Sequence, residues 1–133
     1  MAIKLTQELK DFVSRPEVVK VLATVNEDGS PNVGPKMTIH VFDDESLAYA
    51  EVTGKRHWRN VRQDARVAIA CIDWQKMEGY RFVGEAEVHR EGEVFERINA
   101  LIPPKFPRPQ AAMRLPISEV YTLSFRSPGE RLL

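Results

Sequence analysis

Apolar and β-branched residues recur in short segments of the chain, and clusters of turn-forming residues separate these segments. Segments of this kind are typical of β-strands with one face towards a core. The alternation is clearest where Phe82, Gly84, Ala86 and Val88 share one side of a strand. The pattern predicts six strands, Val18–Asn26, Asn32–Phe42, Leu47–Val52, Arg66–Trp74, Tyr80–Arg90 and Ile117–Phe125.

The predicted strand Arg66–Trp74 differs from the others, because its apolar residues form a nearly continuous run. A strand of that composition is typically covered on both faces, so we expect it to be buried on both sides. Cys71, the only cysteine, lies in this run and is interpreted as a small core residue. A single cysteine excludes an intramolecular disulfide bond.

Three segments have the periodicity of amphipathic helices. Thr6–Val13 begins with a capping residue and carries apolar residues on one face. Lys55–Asp64 is basic, and its residues Trp58 and Val61 are predicted to pack on the sheet. The third helix, Glu91–Leu101, has an apolar stripe formed by Val94, Phe95, Ile98 and Leu101.

The order of these elements predicts a mainly β fold. Most of the six strands follow one another through short turns, and helices are inserted between some of them. This arrangement favours a small antiparallel barrel. No linker and no internal repeat interrupts the chain, so residues 1–133 are predicted to form a single domain.

Composition narrows the classes of function. The chain has 133 residues, of which 43% are hydrophobic and 29% charged, and its formal net charge is +0. Without a basic excess, nucleic-acid binding is not expected. The three histidines have no metal-ligand spacing, so no metal site is predicted. We see no signal peptide or membrane span, and we expect a cytoplasmic location.

The turn before the basic helix is the strongest candidate for a binding site. Thr53, Gly54, Lys55, Arg56 and His57 supply a hydroxyl, a glycine and at least two cations at the predicted helix N-terminus. The helix dipole opposes positive charge there, so this crowding costs stability unless an anion is bound. A phosphate fits the unpaired N–H groups and the cations together.

Several sequence runs together resemble the FMN-binding split-barrel family related to pyridoxamine 5'-phosphate oxidase. These runs are NEDGSPNVGPKMTI, AYAEVTGKRHWRNVRQDARVAIA and EGYRFVGEAEV, and the resemblance covers roughly Val18 to Val94. It implies a six-stranded antiparallel split barrel that binds FMN. It also implies a homodimer with two flavins at the subunit interface.

The resemblance also implies which residues bind the cofactor. The turn Gly54-Lys55-Arg56-His57 would hold the phosphate of FMN, while Val52 and Thr53 would lie along the ribityl chain. Pro35-Lys36-Met37-Thr38 would lie beside the isoalloxazine ring, with Thr38 bonded to its edge and Met37 packed under it. The partner chain would add contacts from Trp74 and Tyr80.

The implied function is that of an FMN-dependent oxidoreductase or electron carrier, with a nicotinamide or a redox protein as electron donor. We identify no side chain that must act as acid or base. Pro35 and His40 stand where the vitamin B6 oxidase has an arginine and a lysine, and the chain ends at Leu133 without that enzyme's substrate-holding extension. Oxidation of vitamin B6 is therefore not expected.

Other interpretations stay open from the sequence. The same barrel could hold a deazaflavin, or a heme with His40 or His57 as axial ligand. It could also be an interaction module with an empty pocket. The proline-rich segment Pro103–Pro109 is interpreted either as a lid or dimer strap over the flavin, or as a surface connection that packs Phe106 against the barrel.

Overall fold

Eight strands form one sheet in the computed structural model of the chain, which describes residues 2–133. Neighbouring strands are antiparallel in the order β2-β1-β5-β6-β8-β4-β3, and β7 pairs with β8 as well. The strands are β1 Val19–Val25, β2 Pro31–Pro35, β3 His40–Asp43, β4 Ser46–Glu51, β5 Arg66–Asp73, β6 Glu78–Glu85, β7 Glu87–His89 and β8 Ala111–Thr122. The helices are α1 Gln7–Ser14, α2 Arg56–Gln63 and α3 Glu93–Leu101.

The long strand β8 connects the two halves of the sheet. Its first half, Ala111 to Pro116, pairs with β4, and its second half, Ile117 to Thr122, pairs with β6. Strands β2 and β3 are at the two ends of the strand order and do not pair with each other. The mainly β, antiparallel split-barrel class is therefore confirmed.

The number of strands is eight instead of six, because two predicted strands are each broken. The segment expected as Asn32–Phe42 is divided into β2 and β3 by the turn residues after Pro35. The segment expected as Tyr80–Arg90 is divided into β6 and β7 beside an irregularity between Val83 and Gly84. A Cβ atom at Gly84 would lie 2.2 Å from the Pro116 carbonyl oxygen, so the backbones approach too closely for a side chain.

The last strand begins earlier than predicted. It starts at Ala111 rather than Ile117, although Pro116 lies within it. Proline has no N–H group to donate and is uncommon inside a strand. The side chains of Ala111, Ala112 and Met113 are nevertheless fully buried, and this burial extends the strand.

Strand β5 is buried on one face only, so the expectation of burial on both sides is wrong for the single chain. Val67, Ile69 and Cys71 face the core, whereas Ala68 and Ala70 are only half-buried. Burial raises the pKa of the Cys71 thiol to about 12, which makes it an unreactive core residue.

The three predicted helices are confirmed with small changes at their ends. Thr6 caps α1 by accepting a hydrogen bond from the backbone of Leu9. Gly92, with φ +92°, precedes α3, and Leu101 at its end is 62% exposed rather than part of the apolar stripe. No helix within residues 2–133 combines the length and apolarity that crossing a membrane requires.

Helix α2 bridges β4 and β5 and packs on the sheet as predicted. The side chains of Trp58 and Val61 are nearly or fully buried in the main core, beside Leu22 and Ile69. The opposite side of the helix keeps its charged residues in solvent. This packing places the N-terminus of α2 at the end of β4, where the candidate site is found.

Candidate functional site

An open groove of about 580 Å³ lies at the start of α2. Four of the predicted site residues line it, Thr53, Gly54, Lys55 and Arg56. Its other lining residues are Trp58, Arg59, Arg62 and Gln110. The structure therefore assembles the predicted phosphate turn into a concave surface and extends it along the helix.

The start of α2 carries positive charge and lacks the usual cap. Lys55 occupies the N-cap position without a side-chain hydrogen bond, and no acidic residue lies in the first turn. The first N–H groups of a helix have no partner within the helix. Cations at this end oppose the helix dipole, so the arrangement favours an anion in the groove.

Lys36 reaches this turn from the strand that was assigned to the isoalloxazine ring. Its ammonium group is paired with the carboxylate of Glu51, whose side chain is fully buried, and Lys36 itself is only 14% exposed. The same nitrogen would lie 3.4 Å from a Cβ atom at Gly54. Lys36 thus connects the two predicted halves of the site through Glu51.

Sequence reasoning missed Glu51, and the structure makes it the central charged residue under the turn. One of its carboxylate oxygens bonds Lys36, and the other is buried without a hydrogen-bond partner within residues 2–133. A Cβ atom at Gly54 would lie 1.8 Å from the first oxygen. Only a glycine fits at residue 54 while the Glu51 carboxylate keeps this position.

Tyr49 adds a second buried polar group to this region. Its hydroxyl has no partner in the described part of the chain, and the Lys36 ammonium lies 5.8 Å from the centre of its ring. Burial, together with the negative charge of Glu51, raises the pKa of the Tyr49 hydroxyl. The phenol therefore stays protonated at neutral pH.

His57 faces inward from α2 and belongs to a polar network with β1. Its Nδ1 lies 2.7 Å from the Thr24 hydroxyl and 3.3 Å from the Asn32 amide nitrogen. The Asn32 amide nitrogen can only donate, so Nδ1 of His57 is an acceptor, and the Thr24 hydroxyl donates to it while accepting from Asn60. Burial and the nearby Lys36 charge lower the pKa of His57, which agrees with a neutral ring protonated at Nε2.

His57 therefore does not supply the positive charge that the sequence led us to expect. The turn was predicted to use it as a second basic residue, but its ring is neutral near pH 7. Nε2 lies 3.7 Å from the Cβ position of Gly34, so the histidine sits against β2. His57 therefore connects the turn to β2 and adds no positive charge to the groove.

The segment Pro35–Thr38 begins with the last residue of β2 and continues into the turn that follows it. Thr38 exchanges two hydrogen bonds with the backbone of Ala50, at 3.2 and 3.0 Å. The Met37 side chain is 96% exposed. Among residues 2–133, nothing covers this methionine, and the Thr38 hydroxyl is used to hold the segment on β4.

The proline-rich segment is held by Arg108. Its guanidinium donates to the backbone oxygens of Ile102, Pro103 and Phe106 at 2.7 to 3.3 Å. Phe106 is 50% exposed and does not pack into the core, whereas Pro109 is buried. At the end of the segment, the Gln110 backbone N–H donates to the backbone carbonyl oxygen of Glu51, and Gln110 lines the groove.

Arg62 and Gln110 are groove residues that sequence reasoning did not identify. A helical signal was available for Arg62, because Lys55, Arg59 and Arg62 are spaced to share one helix face. No local signal was available for Gln110, because it is 58 positions from Val52, whose carbonyl oxygen it contacts.

Comparison with proteins of known sequence and structure places this geometry in a family. A curated relative, uncharacterized protein MJ0282 of Methanocaldococcus jannaschii, is 29% identical, with 98% of this chain and 89% of that protein covered. The crystal structure of HupZ from Group A Streptococcus has a TM-score of 0.86 at 29% identity, covering 97% of this chain and 99% of HupZ. A candidate pyridoxamine 5'-phosphate oxidase from Lactobacillus delbrueckii has a TM-score of 0.76 at 31% identity, covering 89% and 93%.

More distant structures share the fold alone. An FMN-binding protein from Syntrophomonas wolfei is 19% identical with a TM-score of 0.71, covering 90% of this chain and 88% of that one. An F420 reductase is 21% identical with a TM-score of 0.65, covering 84% of this chain and 94% of that one.

Residues 5–124 match the sequence profile of the family described as pyridoxamine 5'-phosphate oxidase. Since this match spans most of the sequence, the chain belongs to the pyridoxamine 5'-phosphate oxidase family.

Proposed function

We propose that the protein is an FMN-binding flavoprotein that acts as an oxidoreductase or electron carrier. The observation that carries this proposal is the cationic groove at the N-terminus of α2, with Thr53, Gly54, Lys55 and Arg56 in its wall. Family membership supports a flavin as the ligand, and so does the shared fold with an FMN-binding protein. The flavin would supply the redox chemistry, and the chain would bind it, orient it and set its exposure to water.

The donors of the groove fit the phosphate end of FMN. The Arg56 guanidinium offers a fork of N–H groups, and Lys55 offers an ammonium, next to the unpaired backbone N–H groups at the start of the helix. Val52 and Thr53, between β4 and the helix, would then lie along the ribityl chain. At the other end, the exposed side chain of Met37 is available to pack against the ring.

The proposal includes a homodimer that closes the ring end of the pocket. The outer face of β1 and β5 carries the small apolar residues Val21, Ala23, Ala68 and Ala70, all only half-buried in the single chain. A second subunit on this face would bury β5 on both sides, as its composition favours. Trp74, which directly follows β5 and is 73% exposed, would then reach the partner's flavin.

Tyr80 is less suited to a contact with the partner's flavin. Its ring packs edge-on against Phe12 of α1, with the ring centres 4.9 Å apart, so it already has a role within its own subunit. We therefore favour Trp74 over Tyr80 as the residue contributed across the interface.

We do not propose oxidation of vitamin B6 for this chain. Pro35 replaces a cation with a residue that has neither charge nor backbone N–H. His40 donates from Nδ1 to the Thr38 carbonyl oxygen, and burial lowers the pKa of its ring, so it is neutral near pH 7. A nicotinamide or a redox protein is the proposed electron donor, and the cytoplasm is the proposed location.

A deazaflavin is the second candidate cofactor, because the chain also shares its fold with an F420 reductase. Both cofactors have a flat ring and a phosphorylated side chain, so the same groove would fit either. Their absorbance differs, with bands near roughly 375 and 450 nm for oxidised flavin and near roughly 420 nm for deazaflavin. Titration with each cofactor separates the two candidates.

Arg56→Ala tests the phosphate site. We expect the affinity for FMN to fall by about 1.5–3 kcal/mol, because a charge-assisted hydrogen bond to the phosphate is lost. Fluorescence quenching of FMN during titration measures the dissociation constant. Arg126→Ala is the matched control, since Arg126 is exposed in the C-terminal segment and lies outside the groove. An unchanged affinity in Arg56→Ala would place the phosphate elsewhere.

Ala68→Asp tests the proposed interface. Ala68 lies between Ala23 and Val83 on the outer face, so a carboxylate there would be buried without a partner in the dimer. We expect a folded monomer with weakened FMN binding, measured by sedimentation and by titration. Ala100→Asp, at an exposed position of α3, should stay dimeric. A wild-type chain that binds FMN as a monomer would refute this part of the proposal.

A further inference from the structure

The cationic groove extends further along α2 than one phosphate requires. Arg56 begins the helix, and Arg62 follows six residues later, which corresponds to about 9 Å along the axis. Lys55, Arg59 and Arg62 recur at spacings of four and three residues, so they share one face of the helix. If FMN places its single phosphate at the turn, the second half of the groove stays unused.

The cations of the groove form no ion pair within residues 2–133. The ion pairs found within residues 2–133 use six other lysines and arginines, Lys10, Arg15, Lys36, Arg66, Arg114 and Arg131. Neither these pairs nor the lining of the groove includes an acidic residue facing Lys55 or Arg62. The formal net charge of the whole chain is +0, so this concentration of unpaired charge is local.

Arg62 is held in a fixed orientation. Its guanidinium carbon lies 4.4 Å from the centre of the Trp58 ring, and its Nε donates to the Trp58 carbonyl oxygen at 3.3 Å. These contacts leave the two terminal nitrogens without a partner in the described chain. A stacked and bonded guanidinium loses little conformational entropy when it binds an anion through both of those nitrogens.

Arg59 is the less isolated of the two arginines. Together with Arg56 it also lines a neighbouring depression that contains Glu27 and Asp28 of the β1–β2 turn. Arg62 does not line that depression. The second half of the groove therefore depends mainly on Arg62, with Arg59 contributing further charge and Gln110 also lining the groove.

We propose that Arg62 and Arg59 form a second anion subsite for the ribose phosphate of a phosphorylated nicotinamide dinucleotide. This inference rests on the proposed function, because the first half of the groove is taken to hold FMN. The length of the helix between Arg56 and Arg62 separates the second anion from the flavin phosphate. A ribose phosphate is a dianion with oxygens arranged for a bidentate arginine. Trp58, flanked by Arg62 and Arg90, gives the subsite a rigid base.

The test compares NADP⁺ with NAD⁺ on the FMN-loaded protein by isothermal titration calorimetry. The two ligands differ only in the ribose phosphate, so the ratio of their dissociation constants isolates the subsite. We expect NADP⁺ to bind at least tenfold more tightly than NAD⁺. We expect Arg62→Gln to reduce the ratio to about twofold and to change the FMN dissociation constant by less than twofold.

Three further variants separate a built subsite from general electrostatic attraction. Arg62→Lys keeps the charge but loses the guanidinium fork, so it should lose most of the preference for NADP⁺. Arg59→Gln, at an exposed position, should lose part of the preference for NADP⁺. Arg126→Gln should retain it, because Arg126 lies outside the groove.

Equal affinities for NADP⁺ and NAD⁺ would overturn the inference. It would also be overturned if Arg62→Lys kept the full ratio, or if Arg126→Gln lowered the ratio as much as Arg62→Gln did. The proposed function is tested separately, because a wild-type protein that binds FMN but shows no preference for NADP⁺ contradicts only the second subsite. A protein that does not take up FMN contradicts the proposed function itself.

Discussion

Replacing Lys36 by methionine should lower the free energy of unfolding by about 3–5 kcal/mol, the usual cost of breaking a buried ion pair. The substitution leaves the Glu51 carboxylate fully buried, and neither of its oxygens then has a partner within residues 2–133. Methionine matches the length of the lysine side chain, so little packing is lost. Urea unfolding followed by circular dichroism measures the change.

A second variant shows whether the uncompensated charge is the cause. Adding Glu51→Gln to Lys36→Met removes the buried charge, and we expect it to restore a large part of the lost stability. Arg66→Met is the matched control, because Arg66 is paired with Asp64 at 2.6 Å but its side chain is 70% exposed. An exposed pair contributes at most about 1 kcal/mol. Equal effects of Lys36→Met and Arg66→Met would contradict the account of the buried pair.

Replacing Gly54 by alanine should have the second large effect, on both stability and FMN binding. The new Cβ atom would lie 1.8 Å from one Glu51 carboxylate oxygen and 2.7 Å from its carbon. Either the carboxylate moves and breaks its pair with Lys36, or the turn moves away from its binding geometry. Strain of this kind costs about 1–3 kcal/mol. We expect FMN affinity to fall at least tenfold in a titration of the variant.

Gly34→Ala provides the control for this prediction. A Cβ atom at Gly34 would meet the nearest atom, Nε2 of His57, at an ordinary contact distance of 3.7 Å. It should therefore change stability and FMN affinity much less than Gly54→Ala does. Removing the obstacle in Gly54→Ala/Glu51→Ala should show favourable coupling in a double-mutant cycle. Additive effects would mean that the glycine and the carboxylate are not in conflict.

The features carried by local sequence patterns were predictable. The conflict between the basic residues of the turn, Lys55 to His57, and the positive end of a helix was visible in the sequence, and the groove is found there. The buried positions of Trp58 and Val61 followed from helical spacing. In each case the signal lies within a few residues and does not depend on distant parts of the chain.

The features that depend on distant contacts were not predictable. One expected strand is divided into β2 and β3 by a turn, and the Thr38 hydroxyl in this turn forms two hydrogen bonds with the backbone of Ala50, twelve residues away. Glu51 was not distinguished from an ordinary exposed glutamate, since its burial depends on pairing with Lys36. In the single chain, β5 is buried on one face only. Its apolar run did not predict this, because such a run suits a strand in a core and a strand in a subunit interface equally well.

The site combines a charged surface with a charged support beneath it. The groove residues Lys55 and Arg56 would face the proposed phosphate, while Lys36 and Glu51 lie under the turn as a pair without net charge. His57 remains neutral and ties the turn to β1 through Thr24. The positive charge offered to a ligand therefore comes from the helix and its exposed side chains, and the buried groups fix where the turn lies.

The most direct test of the central claim is the absorbance spectrum of the protein after incubation with FMN and removal of free flavin on a desalting column. The account predicts a yellow protein with oxidised-flavin bands near roughly 375 and 450 nm and about one flavin per chain. A colourless protein, with all of the flavin in the small-molecule fraction, would contradict it.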